Sequence, residues 1–192
     1  MCGGITVYAA LKRAKVQPGD WVLISGAGGG LGHLAIQYGN AFGVRVLALD
    51  VGSKEEFCKG LGAEVFIDFT KFKDDAALKE EVLKVTAGGA KTVLMCASSE
   101  RAYAQSIGWL GFRGTLVCLG VPEGKKSPIA GAVVEDLIGL ELNIFALKTG
   151  NRQEAKECLE MVARGLVKTE YKLRPMEDVT KVSRRWQLRS DI

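Results

Sequence analysis

Histidine occurs once in these 192 residues, at position 33, and proline only four times. The five cysteines, Cys2, Cys58, Cys96, Cys118 and Cys158, are scattered without a C-x-x-C pair. A structural zinc site takes about four Cys or His ligands and a catalytic one about three. One histidine and dispersed thiols therefore make neither by themselves. An odd, widely spaced set also argues against a disulfide framework, so the cysteines read as reduced thiols of an intracellular protein, with Cys58, Cys96, Cys118 and Cys158 as core residues. No stretch approaches the ~18 consecutive apolar residues of a membrane span. Met1-Cys2-Gly3-Gly4 brings no basic segment leading into an apolar one. The cytoplasm is the expected compartment, and no membrane partner is expected. Charge of one sign is scarce too: the formal net charge is +4, and residues 165–192 supply most of it, with seven Lys/Arg against four Asp/Glu. Only Tyr171 and Trp186 stand among those basic residues, which excludes the interleaved basic and aromatic face of a nucleic-acid binder.

What is present suits a globular chain: 47% hydrophobic and 25% charged residues, enough for one well-filled core. Short apolar runs at Trp21 to Ser25, Val44 to Asp50, Val65 to Asp68, Thr92 to Ala97, Thr115 to Gly120 and Leu142 to Leu147 read as strands. Between them Leu31, Leu34, Ala35, Tyr38 and Phe42 recur at helical spacing, as do Leu78, Val82 and Val85, then Tyr103, Ile107 and Leu110, then Ala155, Leu159 and Val162. Strand and helix alternate, so the expected fold is α/β, a Rossmann doubly wound six-stranded parallel sheet with helices on both faces. We expect one domain over residues 1–192. It comprises a helix over 1–17 that leads into the fold, a core over 18–164 and a basic, irregular segment over 165–192. The run 142–147 should be the outermost strand.

Gly26-Ala27-Gly28-Gly29-Gly30-Leu31-Gly32 falls where the first strand ends and the first long helix begins. Glycine there permits a sharp turn, unobstructed backbone N–H groups for a phosphate, and close helix–strand packing. The strict G-x-G-x-x-G spacing is absent: from Gly26 it meets Leu31, and from Gly28 it meets His33. Only Ala27, Gly29 and Gly32 keep the register, so a ligand-free turn stays open on this ground alone. Asp50 closes the second strand, 18 residues after Gly32. A carboxylate there can accept both hydroxyls of an adenosine ribose, or it can simply begin the next turn. It would repel a 2′-phosphate, and no arginine stands beside it. The order strand, glycine turn, helix, strand, acid favours a dinucleotide, and NAD over NADP.

Four blocks carry a resemblance over Cys2 to about Lys168: Cys2-Gly3-Gly4-Ile5-Thr6-Val7-Tyr8, Ile24-Ser25-Gly26 through Gly32, Gly62-Ala63-Glu64-Val65-Phe66-Ile67-Asp68-Phe69-Thr70-Lys71, and Ala163-Arg164-Gly165-Leu166-Val167-Lys168. With these the chain resembles the cofactor domain of zinc-containing alcohol dehydrogenases of the fungal tetrameric type, within the medium-chain dehydrogenase/reductase family. The resemblance implies that Gly29, Gly30 and Leu31, within the turn of Gly26, Gly28 and Gly32, line the cofactor pyrophosphate. It implies that Asp50 and Lys54 hold the adenosine ribose, that Thr6 lies near the nicotinamide, and that Ser98 and Val121 flank that ring. Lys54 reads equally as a solvated helix-start lysine, and Thr6 as a residue bonding its own helix backbone. Cys2 would be one of three ligands of a catalytic zinc whose partners belong to a preceding domain, so the metal site is incomplete in this sequence. His33 should face the cofactor or solvent. Arg185 is the nearest equivalent of the family's phosphate-contacting arginine, and a solvated basic tail is the other reading.

The resemblance implies an oxidoreductase domain that binds NAD and serves hydride transfer between alcohol and carbonyl. Zinc-dependent activity is not expected from these residues alone, as from a truncated dehydrogenase. A non-catalytic NAD-binding or assembly module, and a repurposed metal-free reductase or isomerase, are the alternatives. The apolar edge 142–147 and the resemblance together point to a homodimer across a two-fold axis.

Overall fold

The computed structural model describes residues 2–122, 128–171 and 173–180. Helix α1 (Cys2–Arg13) leads into β1 (Trp21–Ser25), followed by α2 (Gly32–Ala41), β2 (Arg45–Asp50), α3 (Glu55–Gly60) and β3 (Val65–Asp68). The second half runs α4 (Asp75–Val85), β4 (Ala90–Met95), α5 (Glu100–Ser106), β5 (Leu110–Cys118), α6 (Val134–Gly139), β6 (Asn143–Ala146) and α7 (Arg152–Ala163). All five strand pairings are parallel, in the order β3-β2-β1-β4-β5-β6. The doubly wound sheet expected from the alternating pattern is therefore the one observed. No helix among the described residues is long and apolar enough to cross a membrane.

Alternate strand residues face opposite ways, and the two faces bury separate cores. Val22, Ile24, Val46, Ala48, Leu94 and Val117 pack with α1, α2, α3 and α7 on one face. Leu23, Leu47, Leu49, Val93, Met95 and Leu116 pack with α4, α5 and the turn at 107–109 on the other. Strands covered on both faces are mostly apolar, which is why residues 21–24 of β1 and 93–95 of β4 read as apolar runs.

Several boundaries differ from the sequence expectation. The leading helix stops at Arg13, because Lys15 takes a left-handed backbone (φ 55°) and turns the chain toward Pro18. Leu110 is the first residue of β5 rather than the end of a helix. Ile107–Trp109 forms a 3₁₀ turn that drops the Trp109 ring into the core. The largest correction concerns α7: its expected apolar face leaves Leu159 and Val162 exposed, while Glu154 and Cys158 are buried.

The charges on α1 explain that rotation. Arg13 donates through Nε and Nη2 to the two carboxylate oxygens of Glu154, at 3.0 and 2.7 Å. Glu154 also accepts from the Asn151 N–H at 2.6 Å, while the Asn151 side chain accepts from the Glu154 N–H, closing a capping box at the start of α7. One turn on, Lys12 and the Tyr8 hydroxyl both donate to Glu157. An acidic pair, Glu154 and Glu157, beside the buried Cys158 faces α1 in place of Leu159 and Val162. The Arg13 bond holds the Glu154 carboxyl below the usual carboxylate range, and Lys12 followed by Tyr8 holds Glu157 down to about 2 from its ordinary 4.5.

Because these folded-state values are depressed, the clamp's contribution is complete above the unfolded carboxylate value and is lost as pH falls through the folded one. For Glu157 that window runs from 4.5 down to about 2. Glu154→Gln, which keeps the shape and removes the charge-assisted bonds, should lower unfolding stability at neutral pH by about 1–3 kcal/mol. Denaturant titration checks this, and the deficit against the unaltered chain should shrink on acidification.

Candidate nucleotide-binding site

β1 ends at Ser25, and the chain turns at Gly26 with φ +73°, where a Cβ would come within 2.9 Å of the Ala97 nitrogen. The N–H groups of Gly26 and Ala27 both donate to the Leu49 carbonyl at the end of β2, at 3.0 and 3.4 Å. Helix α2 then starts at Gly32, whose Cβ would lie 2.2 Å from the Gly26 carbonyl oxygen and 2.5 Å from the Ala27 Cα. Only hydrogen fits there, so the helix N-terminus rests directly on the strand end. Leu31 at the N-cap offers no side-chain acceptor. The N–H groups of Gly30 and Leu31 take no acceptor among the described residues. Free donors at the positive end of a helix dipole form an anion-binding cradle.

Asp50 is tied to that cradle. Its Oδ2 accepts from the Gly28 N–H at 2.8 Å and its Oδ1 from the Val51 N–H at 2.7 Å, which fixes the carboxylate at the end of β2 beside the turn. The Lys54 stem lies over Gly28, so close that a Cβ there would meet Lys54 Cγ at 2.7 Å. A cleft of about 470 Å³ opens alongside, between the carboxyl ends of β1, β2 and β4. Gly26, Asp50, Phe69, Phe72, Arg101 and Trp109 are among its lining residues. The sheet order reverses between β1 and β4, the place where open α/β sheets hold ligands. On the rim Arg101 pairs with Asp75 at 2.6 Å and holds its carboxyl below the usual range.

The family model described as zinc-binding dehydrogenase matches residues 30–164. The chain belongs to the zinc-binding dehydrogenase family. Alcohol dehydrogenase 2 of Emericella nidulans is 45% identical over 188 residues, covering 95% of this chain and 51% of the relative. An alcohol dehydrogenase of Schizosaccharomyces pombe is 45% identical over 185 residues, covering 96% and 51%. Among solved structures, the alcohol dehydrogenase of Aeropyrum pernix superposes with a TM-score of 0.83 at 26% identity, covering 98% of this chain and 53% of that one. The chain thus spans about half the length of the dehydrogenases it matches. It corresponds to their dinucleotide-binding part.

Within this dehydrogenase fold the residues singled out from the sequence do not all occupy equivalent places. Gly26, Gly28, Gly29, Gly30, Leu31, Gly32, Asp50 and Lys54 come together around the turn. Ser98 and Val121 are exposed on the loops after β4 and β5. Thr6 is buried, and its hydroxyl donates to the Cys2 carbonyl at 2.8 Å, with the Lys148 carbonyl at 3.3 Å. Cys2 is exposed in the first turn of α1, and no three His, Cys, Asp or Glu side chains among the described residues group as a metal site. Burial pushes the Cys58 thiol up to about 11, with Asp50 adding to the shift, and the Cys96 thiol up to about 12. Burial raises Cys118 as well. Cys58 is buried while Cys96 and Cys118 are half-buried at the strand ends, and all three thiols stay protonated near neutrality, which does not suit nucleophiles. Arg185 lies outside the described residues.

His33 is a correction. It turns neither to the cleft nor to solvent: it is 6% exposed, with Nδ1 3.0 Å from the Gly29 carbonyl oxygen and Nε2 accepting from the Glu170 N–H at 3.4 Å. As the second residue of α2 its side chain follows the helix back over the preceding turn. The cleft wall at Phe69, Phe72, Arg101 and Trp109 was missed by sequence reasoning. The one signal for it was Phe69 inside a block that resembled the family.

The glycines can be separated by experiment. Gly32→Ala forces a methyl into backbone and should destabilise the chain by about 3 kcal/mol or more. Gly30→Ala meets nothing within 4 Å. It should stay within about 0.5 kcal/mol of the unaltered chain. Thermal unfolding of the two variants checks the contrast.

Proposed function

We propose that this chain binds NAD(H) across the glycine turn and serves hydride transfer between an alcohol and a carbonyl, as in the family it belongs to. The observation that carries this reading is the Asp50 carboxylate held by the Gly28 N–H beside the free N–H groups of Gly30 and Leu31. A pyrophosphate accepts from those donors. Asp50 keeps lone pairs for the two ribose hydroxyls and repels a 2′-phosphate, so NAD is preferred to NADP. The Lys54 ammonium stands over the same ribose. The cleft between Phe69, Phe72 and Arg101 receives the adenine, and Ser98, Val121 and Thr6 are the residues we assign to the nicotinamide side. When bound, the nicotinamide supplies the hydride acceptor or donor.

The residues present do not fit a catalytic zinc by themselves, since among the described residues no three His, Cys, Asp or Glu side chains group as a metal site.

The assembly we infer is a homodimer through β6, the edge strand of the sheet. Phe145 of that strand packs inward against the core under α1 and α2. Ile144, 37% exposed, points the other way, and α6 nearby in sequence leaves Val134 and Ile138 at 62% and 72%. Two such edges can continue one sheet through backbone pairing. Light scattering should therefore give a dimer, and Ile144→Lys should give a monomer with unchanged secondary structure. A monomeric unaltered chain would overturn the assembly.

Calorimetric titration with NADH and NADPH tests the function itself. NADH should bind the more tightly, and Asp50→Ala should cost it about 1–3 kcal/mol, the range for hydrogen bonds to a charged group. Tighter binding of NADPH by the unaltered chain would sink the cofactor assignment.

A further inference from the structure

Buried behind the glycine turn, His33 faces neither the cleft nor the proposed ribose contacts at Asp50 and Lys54. Its ring joins the turn at Gly29 to the chain following α7 at Glu170, which lies 137 residues beyond His33 itself. Because the Glu170 N–H donates to Nε2, the proton on the ring sits at Nδ1 and is donated to the Gly29 carbonyl. The Gly29 carbonyl also accepts from the His33 N–H at 3.1 Å, so two donors of one residue hold it. A trans peptide is planar, and the N–H of Gly30 points opposite to the carbonyl of Gly29. Fixing that carbonyl toward His33 therefore aims the Gly30 N–H outward, as one of the free donors of the anion cradle.

The far side of the ring is equally built. The Gln37 side-chain amide, one helical turn beyond His33, donates to the Lys168 carbonyl at 2.9 Å and accepts from the Lys168 N–H at 2.7 Å. The same amide donates to the His33 carbonyl at 2.9 Å. Val167 between these bonds is 3% exposed and belongs to the core beneath α2. Residues 167–170 thus form a strap stitched to α2 by Gln37 and to the phosphate turn by His33.

We propose that His33 is a positioning residue for the dinucleotide, and that through it the strap 167–170 and the glycine turn are energetically coupled. Cofactor bound at the turn steadies the strap, and a docked strap steadies the turn, since linkage between two sites is reciprocal. The inference rests on the nucleotide reading of the turn. It does not depend on which nicotinamide dinucleotide is taken or on any reaction that follows.

NADH fluorescence titration and amide hydrogen exchange test it on the full chain and three variants. In the unaltered chain, NADH should slow exchange at Lys168 and Glu170, which lie outside the cleft. His33→Ala should weaken NADH about tenfold and abolish that slowing. His33→Gln, whose amide can both donate to Gly29 and accept from Glu170, should restore most of the affinity, a rescue that loss of packing alone would not give. Gln37→Met cuts the strap's other bonds, leaves the imidazole in place, and should weaken NADH in the same direction. Unchanged affinity in His33→Ala, or exchange at Lys168 and Glu170 indifferent to NADH, would overturn the coupling and leave the binding site standing. Failure of the unaltered chain to bind NADH would overturn both. If His33→Ala does not fold, Gln37→Met and the exchange of the unaltered chain decide the matter.

Discussion

The contact between Gly32 and the Gly26–Ala27 backbone is the constraint on which the site depends. A helix ordinarily keeps its distance from a strand because side chains intervene, and here the only atom between them is a glycine hydrogen. That approach brings the start of α2 to the end of β1, leaves the Gly30 and Leu31 N–H groups unpaired, and puts the Gly28 N–H within reach of Asp50 at the end of β2. Three elements converge on one turn because one position carries no side chain. The anion cradle, the placed carboxylate and the cleft at the reversal of strand order all follow from it.

Other features serve to keep that turn in place. The Leu49 carbonyl accepts from both Gly26 and Ala27 and so locks the turn to β2. Lys54 covers Gly28 with its aliphatic stem, and Gly26 lies against Ala97 beyond β4. The rigidity is distributed over neighbouring strand ends, so the unpaired donors of the turn are fixed in advance and ordering them on binding would cost little.

How much of this was legible beforehand depended on how local the determinant was. Trp21 to Ser25 matched the observed strand because a strand covered on both faces is apolar along most of its length, and Val65 to Asp68 matched because a short β-branched and aromatic run there is bounded by turns at Gly62 and Phe69. The turn and Asp50 were legible because their spacing is set by one strand–helix–strand unit. The face of α7 was not, because Glu154 and Glu157 point inward and their partners, Arg13, Lys12 and Tyr8, lie at the opposite end of the sequence. Periodicity treats a carboxylate as a surface residue and cannot see a distant guanidinium. The cleft wall failed for the same reason: Phe69, Arg101 and Trp109 come from separate connections that only the folded sheet brings together. His33 was misplaced because its position in the helix was known but its acceptor, one turn back, was not.

The clamp between α1 and α7 bears on the order in which the molecule assembles. Its bonds span 141 to 149 residues, among the longest separations in the chain. Closing so long a loop costs entropy that only prior sheet formation can offset, whereas β1, α2 and β2 are contiguous and need no such closure. The central unit carrying the glycine turn is therefore expected to form early, with α7 docking onto α1 afterwards. Contacts made after the rate-limiting step govern how fast the native state opens and not how fast it is reached. The acidic pair of α7 thus acts as a latch on a fold already made, and it sets the molecule's lifetime more than its rate of formation.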